Sequence, residues 1–500
     1  MTALEHLRSK LAEISDLNGA ASVLGWDQQT YMPPGGVTAR AEQLGTLVKL
    51  AHEKLVSDQL GALLKIAGEE VSGLSGDSDE VCLIRVAQRD YDKARKVPST
   101  LVAELARAAS LGLEVWVNAR ETADFAAFKP ALQKIVDLHR ELARCLGYEE
   151  QLYDALLDQY EPGMKTSEIT RIFSELRAGL VPLAQAISEK VASVDDSVLR
   201  RHYAESQQWK FGLDVLEHFG YDFARGRQDK SVHPFTTSFS VNDVRITTRV
   251  DERFLPTALF GTLHECGHAL YEQGISQNLE RTPLASGASL GIHESQSRLW
   301  ENLVGRSHGF WKFFFPQLQG LFSENLSSTS LEGFYQAINR VEPSLIRVEA
   351  DEVTYNLHVL LRFELEVDLL EQRLSLDDLP AAWNGKMKEY LGVVPPNNTQ
   401  GVLQDVHWAN GLIGYFPTYS LGNLISVQLF EKAQRQHPSI QEEIEKGQFT
   451  LLLTWLRDHV HLHGKKFLPA ELVERATGQL LQAQPYLAYL RRKYSEIYSL

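Results

Sequence analysis

Cysteine is scarce in this chain of 500 residues: Cys82, Cys145 and Cys266 are the only three. They are widely spaced and odd in number, and no Cys-x-x-Cys pair occurs. That excludes a disulfide framework and points to buried free thiols in a reducing compartment. No cluster of Lys or Arg stands out, and 50 basic against 65 acidic residues leave a net charge of −15. Nothing in that balance suggests a nucleic-acid partner. The first residues, MTALEHLRSKLAEI, are amphipathic and lack the apolar centre of a signal peptide. No apolar run suits a membrane. The nearest candidate, residues 406–430, has no Asp, Glu, Lys or Arg, but His407, Asn410, Pro417, Asn423 and Gln428 interrupt it. It reads as buried interior or the lining of a cleft. These absences predict a soluble, cytoplasmic protein with neither nucleic-acid nor membrane partners. The chain is also long enough to bury a core without a disulfide or metal.

What is present is mostly helical. Residues 1 to about 220 carry Leu, Ala, Val and Ile at helical spacing, broken at PPGG (33–36) and at a polar loop over 69–79. Near Gly220 the pattern changes. Val244, Ile246, Thr248 and Val250 alternate with Arg245, Thr247 and Arg249, which is the period of a strand. With 236–241 before it and Asn242-Asp243 as the turn, one small hairpin is predicted. Helical period returns after Pro256, which suits a first helical position, and Gly274 suits the position just past the end. A further helix is predicted over 293–305. Residues 353–374 alternate in part like a strand, but about twenty residues without Gly or Pro favour a helix. One unit of 1–500 is expected, helical over 1–220 and carrying the chemistry over 221–500.

The chemistry concentrates in His264-Glu265-Cys266-Gly267-His268. Histidines at i and i+4 project from one helical face about 6 Å apart. Two imidazoles so placed can share one zinc ion, with Glu265 beside them to take a proton from water. With 16 His and 41 Glu in the chain, the pattern arises by chance only about 0.04 times. Leu259, Leu263 and Leu270 supply the opposite face, and Cys266 reads as a small core residue.

A catalytic zinc needs a third protein ligand and an open position. The extended metzincin motif would require Gly at 271 and His at 274; Tyr271 and Gly274 stand there instead. A carboxylate or imidazole from the following helix is the alternative, and Glu294, His293 and Glu301 compete for the role.

Other segments join HECGH in order along the chain: LGWDQQTYMPPGG (24–36), HPF (233–235), DVRIT (243–247), HESQS (293–297), IRVEAD (346–351) and GVLQDVHW (401–408). Together these resemble the thermostable metallocarboxypeptidases of the carboxypeptidase Taq type over nearly the whole chain. The resemblance implies a mainly α, two-lobed helical fold around a deep cleft, neurolysin-like, with a small β-sheet beside the metal. The 1–220 part would then supply cleft wall, lid and dimer contacts. It implies a homodimer that removes single residues from peptide C-termini. It assigns His264, His268 and Glu294 as ligands of Zn2+ (or Co2+) and Glu265 as general base.

A carboxypeptidase must also recognise a terminal carboxylate, for which the Arg fork is suited. Arg347 in IRVEAD is the first candidate. Arg245 in DVRIT is the second, although Asp243 beside it suggests a role in ordering the hairpin. His407 and Tyr419 are candidates to hold a developing oxyanion, and Asp405 to orient His407 or a ligand. His233 is expected to shape the strand edge, which peptide backbone could join. Trp26, Asp27 and Gln28 match the family pattern without a physical role evident from the sequence. Two other readings stand against this one: an oligopeptidase cutting short peptides internally, and a non-catalytic peptide-binding protein with a structural metal.

Overall fold

The computed structural model describes residues 2–500. They form two compact units interleaved along the chain: Met1–Arg95 with Asp196–Ile338 and Gln428–Leu480, and Lys96–Asp195 with Asn339–Val427 and Leu481–Leu500. Both units draw chain from either side of residue 220.

The first unit opens with the helix Ala3–Thr30, started by a capping box: Glu5 N donates to Thr2 Oγ1 at 3.2 Å and Thr2 N to Glu5 Oε2 at 2.9 Å. PPGG ends it, as expected, through a short turn at Pro34–Gly36 before Val37–Leu55. Helices Asp58–Glu70 and Asp79–Lys96 flank the polar loop. Leu7, Leu11, Leu60, Leu64, Leu83 and Val86 make their shared core.

The hairpin forms as expected and gains a strand. β1 (Gln228–Lys230), β2 (Thr236–Ser240) and β3 (Asp243–Thr248) lie in the order β1-β3-β2, parallel between β1 and β3 and antiparallel between β2 and β3. Thr236 pairs with Ile246 and Thr237 with Arg245, with a bulge between Ser238 and Ser240. Val244, Ile246 and Thr248 are buried as the period-two pattern expects, but Thr247, expected on the other face, is buried as well, and the strand ends before Val250. β2 lies at the edge of the sheet.

The helix Pro256–Gly274 follows, with Pro256 at its start. Leu263 and Leu270 are wholly buried, each worth about 1.5–3 kcal/mol. The end differs from expectation. Gly274 is the last helical residue, and no left-handed turn occurs there. It is glycine because a Cβ would stand 2.6 Å from His461 Nδ1. The next helix, Leu290–Arg298, is capped by Ser289 Oγ, which accepts from Ile292 N at 3.0 Å. It widens into a π-helical turn at Leu299–Val304, a feature common near functional sites. Gly267 lets these two helices touch: a Cβ there would lie 2.5 Å from the Gln296 carbonyl oxygen.

The second unit holds helices Ser99–Glu121, Phe125–Leu146, Thr166–Ser188, Tyr355–Leu370, Leu379–Leu391 and Gln484–Tyr498. Tyr355–Leu370 is the segment of mixed pattern. It is a helix buried on nearly all sides, which explains why no clear helical stripe shows in its sequence. The uncharged 406–430 stretch is mostly buried: a loop, then the start of helix Pro417–Gln436. No described helix is long and apolar enough to cross a membrane.

Candidate active site

The i, i+4 spacing sets the His264 and His268 rings 5.0 Å apart between centroids on one face of the helix Pro256–Gly274. Cys266 is fully buried on the side away from them. The neighbouring helix brings in Glu294. Its Oε2 stands 3.6 Å from His264 Nε2 and 3.5 Å from His268 Nε2. The three donor atoms lie within 4.8 Å of one another. A tetrahedral zinc with bonds near 2.0–2.1 Å spaces its donors by about 3.4 Å, so the triangle fits such an ion.

The atoms behind the donors fit it too. His264 Nδ1 contacts Glu301 Oε2 at 2.9 Å, and His268 Nδ1 contacts His293 Nδ1 at 2.6 Å. Both rings are thus held from behind with Nε2 facing Glu294. Arg298 Nε donates to Glu294 Oε1 at 2.7 Å, and Ser297 Oγ donates to the Glu294 carboxylate at 3.0 Å or its carbonyl at 2.7 Å. The three residues that competed for the third position are therefore all present. Glu294 faces both imidazole Nε2 atoms, Glu301 backs His264, and His293 backs His268.

The charges are strongly shaped by burial. Burial opposes the ionised Glu294, but Arg298 and the two histidines outweigh it and hold the carboxyl well below its usual range. Glu301 is treated the same way, and Arg298 and His264 bring it down to about 2. Burial drives His268 down to about 3. At His264 burial acts in the same sense, but Glu294 and Glu301 reverse it and raise the imidazole. Glu265 is buried, and that desolvation raises its carboxyl. Thr236 Oγ1, from β2, stands 2.7 Å from Glu265 Oε2. This contact orients the carboxyl, and nothing in the sequence pairs those residues.

In the second unit, Arg347 is 4% exposed and already engaged. Its Nε and Nη2 donate to Asp405 Oδ1 at 3.1 and 2.8 Å, and its Nη1 to Tyr355 Oη at 2.9 Å. Arg362 Nε donates to the other Asp405 oxygen at 2.6 Å. Asp405 thus serves two guanidinium groups, while its distance to His407 Nδ1 is 3.9 Å. Burial would favour a neutral Asp405, yet the two arginines hold it far below the usual carboxylate range. His407 Nε2 and Tyr419 Oη are hydrogen-bonded to each other at 3.0 Å, and burial brings His407 down to about 3.

The profile of the family described as Carboxypeptidase Taq (M32) metallopeptidase matches residues 6–494. The chain belongs to this family. Thermostable carboxypeptidase 1 of Thermus thermophilus is 45% identical, covering 99% of both chains. Carboxypeptidase 1 of Bacillus subtilis is 38% identical over 98% of this chain and 97% of its own. The crystal structure of an M32 carboxypeptidase from Deinococcus radiodurans superposes with a TM-score of 0.97 at 41% identity, each chain fully covered. The mainly helical carboxypeptidase Taq-type fold with a small sheet, expected from the motifs, is the fold observed.

Two further family motifs gain a physical role. In DVRIT, Arg245 Nε and Nη2 donate to Asp243 at 2.8 Å each, and the guanidinium lies 4.4 Å from the Trp26 ring and 4.8 Å from Phe239. Trp26 therefore receives a cation on its face, and Asp27 pairs with Arg40 at 2.7 Å. In HPF, Phe235 N donates to Thr247 Oγ1 at 2.9 Å, and the His233 carbonyl accepts from Ser231 Oγ at 2.6 Å. The His233 side chain is exposed.

Proposed function

We propose that this member of the carboxypeptidase Taq family releases single residues from the free C-termini of peptides, with broad specificity. In this reading His264, His268 and Glu294 hold a divalent ion, and Glu265 moves the proton. The observation that carries it is the closed donor triangle with a buried carboxyl next to it in sequence and in space. Two nitrogens and one carboxylate oxygen suit Zn2+, with Co2+ as a substitute of the same preference. Such an ion, when bound, polarises a carbonyl oxygen and lowers the pKa of water.

The chain's own groups do the rest. Glu265 accepts a proton from the attacking water at a carboxylate oxygen and returns it to the leaving amine nitrogen. Burial supports this, because a carboxyl raised toward neutrality both takes and gives a proton readily. Arg347 receives the terminal carboxylate, with Arg245 the weaker candidate because Asp243 neutralises it one to one, whereas Asp405 is shared by Arg347 and Arg362. Two buried arginines sharing Asp405 support the choice of Arg347: one positive charge stays uncompensated, and a peptide carboxylate supplies the missing negative one. Tyr419 and His407 act as oxyanion donors. A homodimer completes the reading, and the three free cysteines suit a reducing, cytoplasmic setting.

The test is product analysis by mass on one unblocked peptide and its C-terminal amide, with and without a chelator. Stepwise loss of single residues from the free acid only, abolished by chelation and restored by Zn2+, is the expected result. Equal cleavage of the amide identifies an oligopeptidase. No cleavage by metal-loaded protein between pH 6 and 9 leaves a peptide-binding protein with a structural metal.

A further inference from the structure

The contacts behind the two metal-facing histidines differ in kind. His264 Nδ1 meets a carboxylate oxygen. His268 Nδ1 meets a second imidazole, His293, at 2.6 Å, and His293 Nε2 meets Glu272 Oε1 at 2.7 Å. Two ring nitrogens in contact share one hydrogen, so one ring donates and the other accepts. The Glu272 carboxylate accepts, which places the His293 hydrogen on Nε2 and leaves its Nδ1 as a lone pair. His268 is then the donor, through Nδ1–H. Its Nε2 keeps a free lone pair on the side of Glu294, 3.5 Å away. The reverse arrangement would put the His268 hydrogen on Nε2 and close that nitrogen to a metal.

We infer that His293 and Glu272 are positioning residues that lock His268 in its metal-binding tautomer. The inference rests on the metal site of the proposed function and adds to it a three-residue chain from Glu272 to the ion. The fold builds that chain deliberately. Glu272 lies one helical turn after His268, and His293 immediately precedes the ligand Glu294. Gly287 clears space for the His293 ring: a Cβ there would lie 2.8 Å from His293 Cδ2. The Tyr271 ring, 5.3 Å away between centroids, packs against His293.

The experiment measures the Zn2+ dissociation constant of the full metal-free chain, by competition with a chromogenic chelator at one fixed pH. If the parent chain binds no Zn2+, the functional reading fails before any variant is compared. Given binding, His293→Leu removes the acceptor and weakens affinity about 10- to 100-fold. His293→Asn keeps an oxygen near the position of Nδ1 and retains affinity within about threefold of the parent. Unchanged affinity in His293→Leu, or equal loss in both variants, overturns the inference. Should His293→Leu not fold, Glu272→Ala carries the test: a loss of about tenfold is expected, and no loss overturns it.

Discussion

Arg298 Nε donates to Glu294 Oε1 at 2.7 Å, which leaves Oε2 as the oxygen facing both histidines. The same guanidinium reaches Glu301 at 3.3 Å, so one cation serves two buried carboxylates. Arg298→Gln leaves both without it. The metal-free protein is expected to lose about 3 kcal/mol, since breaking a buried pair strands charge. Urea unfolding measures the loss, and Zn2+ should recover part of it. A variant as stable as the parent would show that the pair is only a contact.

Glu265 and the three proposed ligands separate cleanly by substitution. Glu265→Gln keeps the volume and the contact with Thr236 but removes the proton acceptor. Turnover should fall by about 10²- to 10⁴-fold, with bound metal unchanged by elemental analysis. Loss of metal together with activity would assign Glu265 to binding instead.

Arg347 and Arg245 make opposite forecasts. Arg347→Ala should damage cleavage of free-acid peptides, chiefly through KM, by at least about 2 kcal/mol in kcat/KM. Arg245→Ala should instead lower stability by about 1–2 kcal/mol, through loss of its Asp243 pair and Trp26 contact. Steady-state kinetics and thermal unfolding on both variants decide between them; a kinetic loss confined to Arg245→Ala reverses the assignment.

A pH effect on stability resides in the second unit. Glu366 is fully buried and accepts from Tyr153 Oη, Trp408 Nε1 and Gly414 N. Burial nonetheless pushes its carboxyl up from 4.5 to about 7. A raised carboxyl binds its proton more tightly in the folded chain than in the unfolded one. Its cost to the fold is therefore absent below about 4.5, grows as pH rises to about 7, and is constant above. The full cost is on the order of 3 kcal/mol. Glu366→Gln removes the slope and adds a pH-independent cost, because its amide nitrogen faces donors. The stability difference between parent and variant should change across that range in urea unfolding; a constant difference rules the effect out.

How much of this was legible in the sequence depends on what kind of distance was involved. The spacing of His264 and His268 is set by helix geometry, so residue numbers alone predicted it. Glu294 was not separable from His293 and Glu301 by spacing, because all three reach the site and differ only in which atoms they face. The family motifs made that choice. Thr236, Arg298 and Glu272 were missed, and only for Thr236, which reaches Glu265 across 29 positions, was there no pattern to find. Glu272 stands four residues after His268 and Arg298 four residues after Glu294, each pair on one helix, which was the available signal. β1 is three residues long and has no alternation to detect. Gly274 misled because a glycine at a helix end usually serves a turn, whereas here it clears space for His461. The pairing of Arg347 with Asp405 crosses 58 positions, beyond the reach of local pattern.

The missing side chain of Gly267 has a larger effect than most side chains present. With Gln296 and Ser297 backbone atoms occupying the volume a methyl would need, the gap between the rods that carry His264, His268 and Glu294 is set at its minimum. The bite of the three donors follows from that gap. A single added carbon would act as a wedge and, in the proposed metal site, favour wider ions over small ones without altering His264, His268 or Glu294.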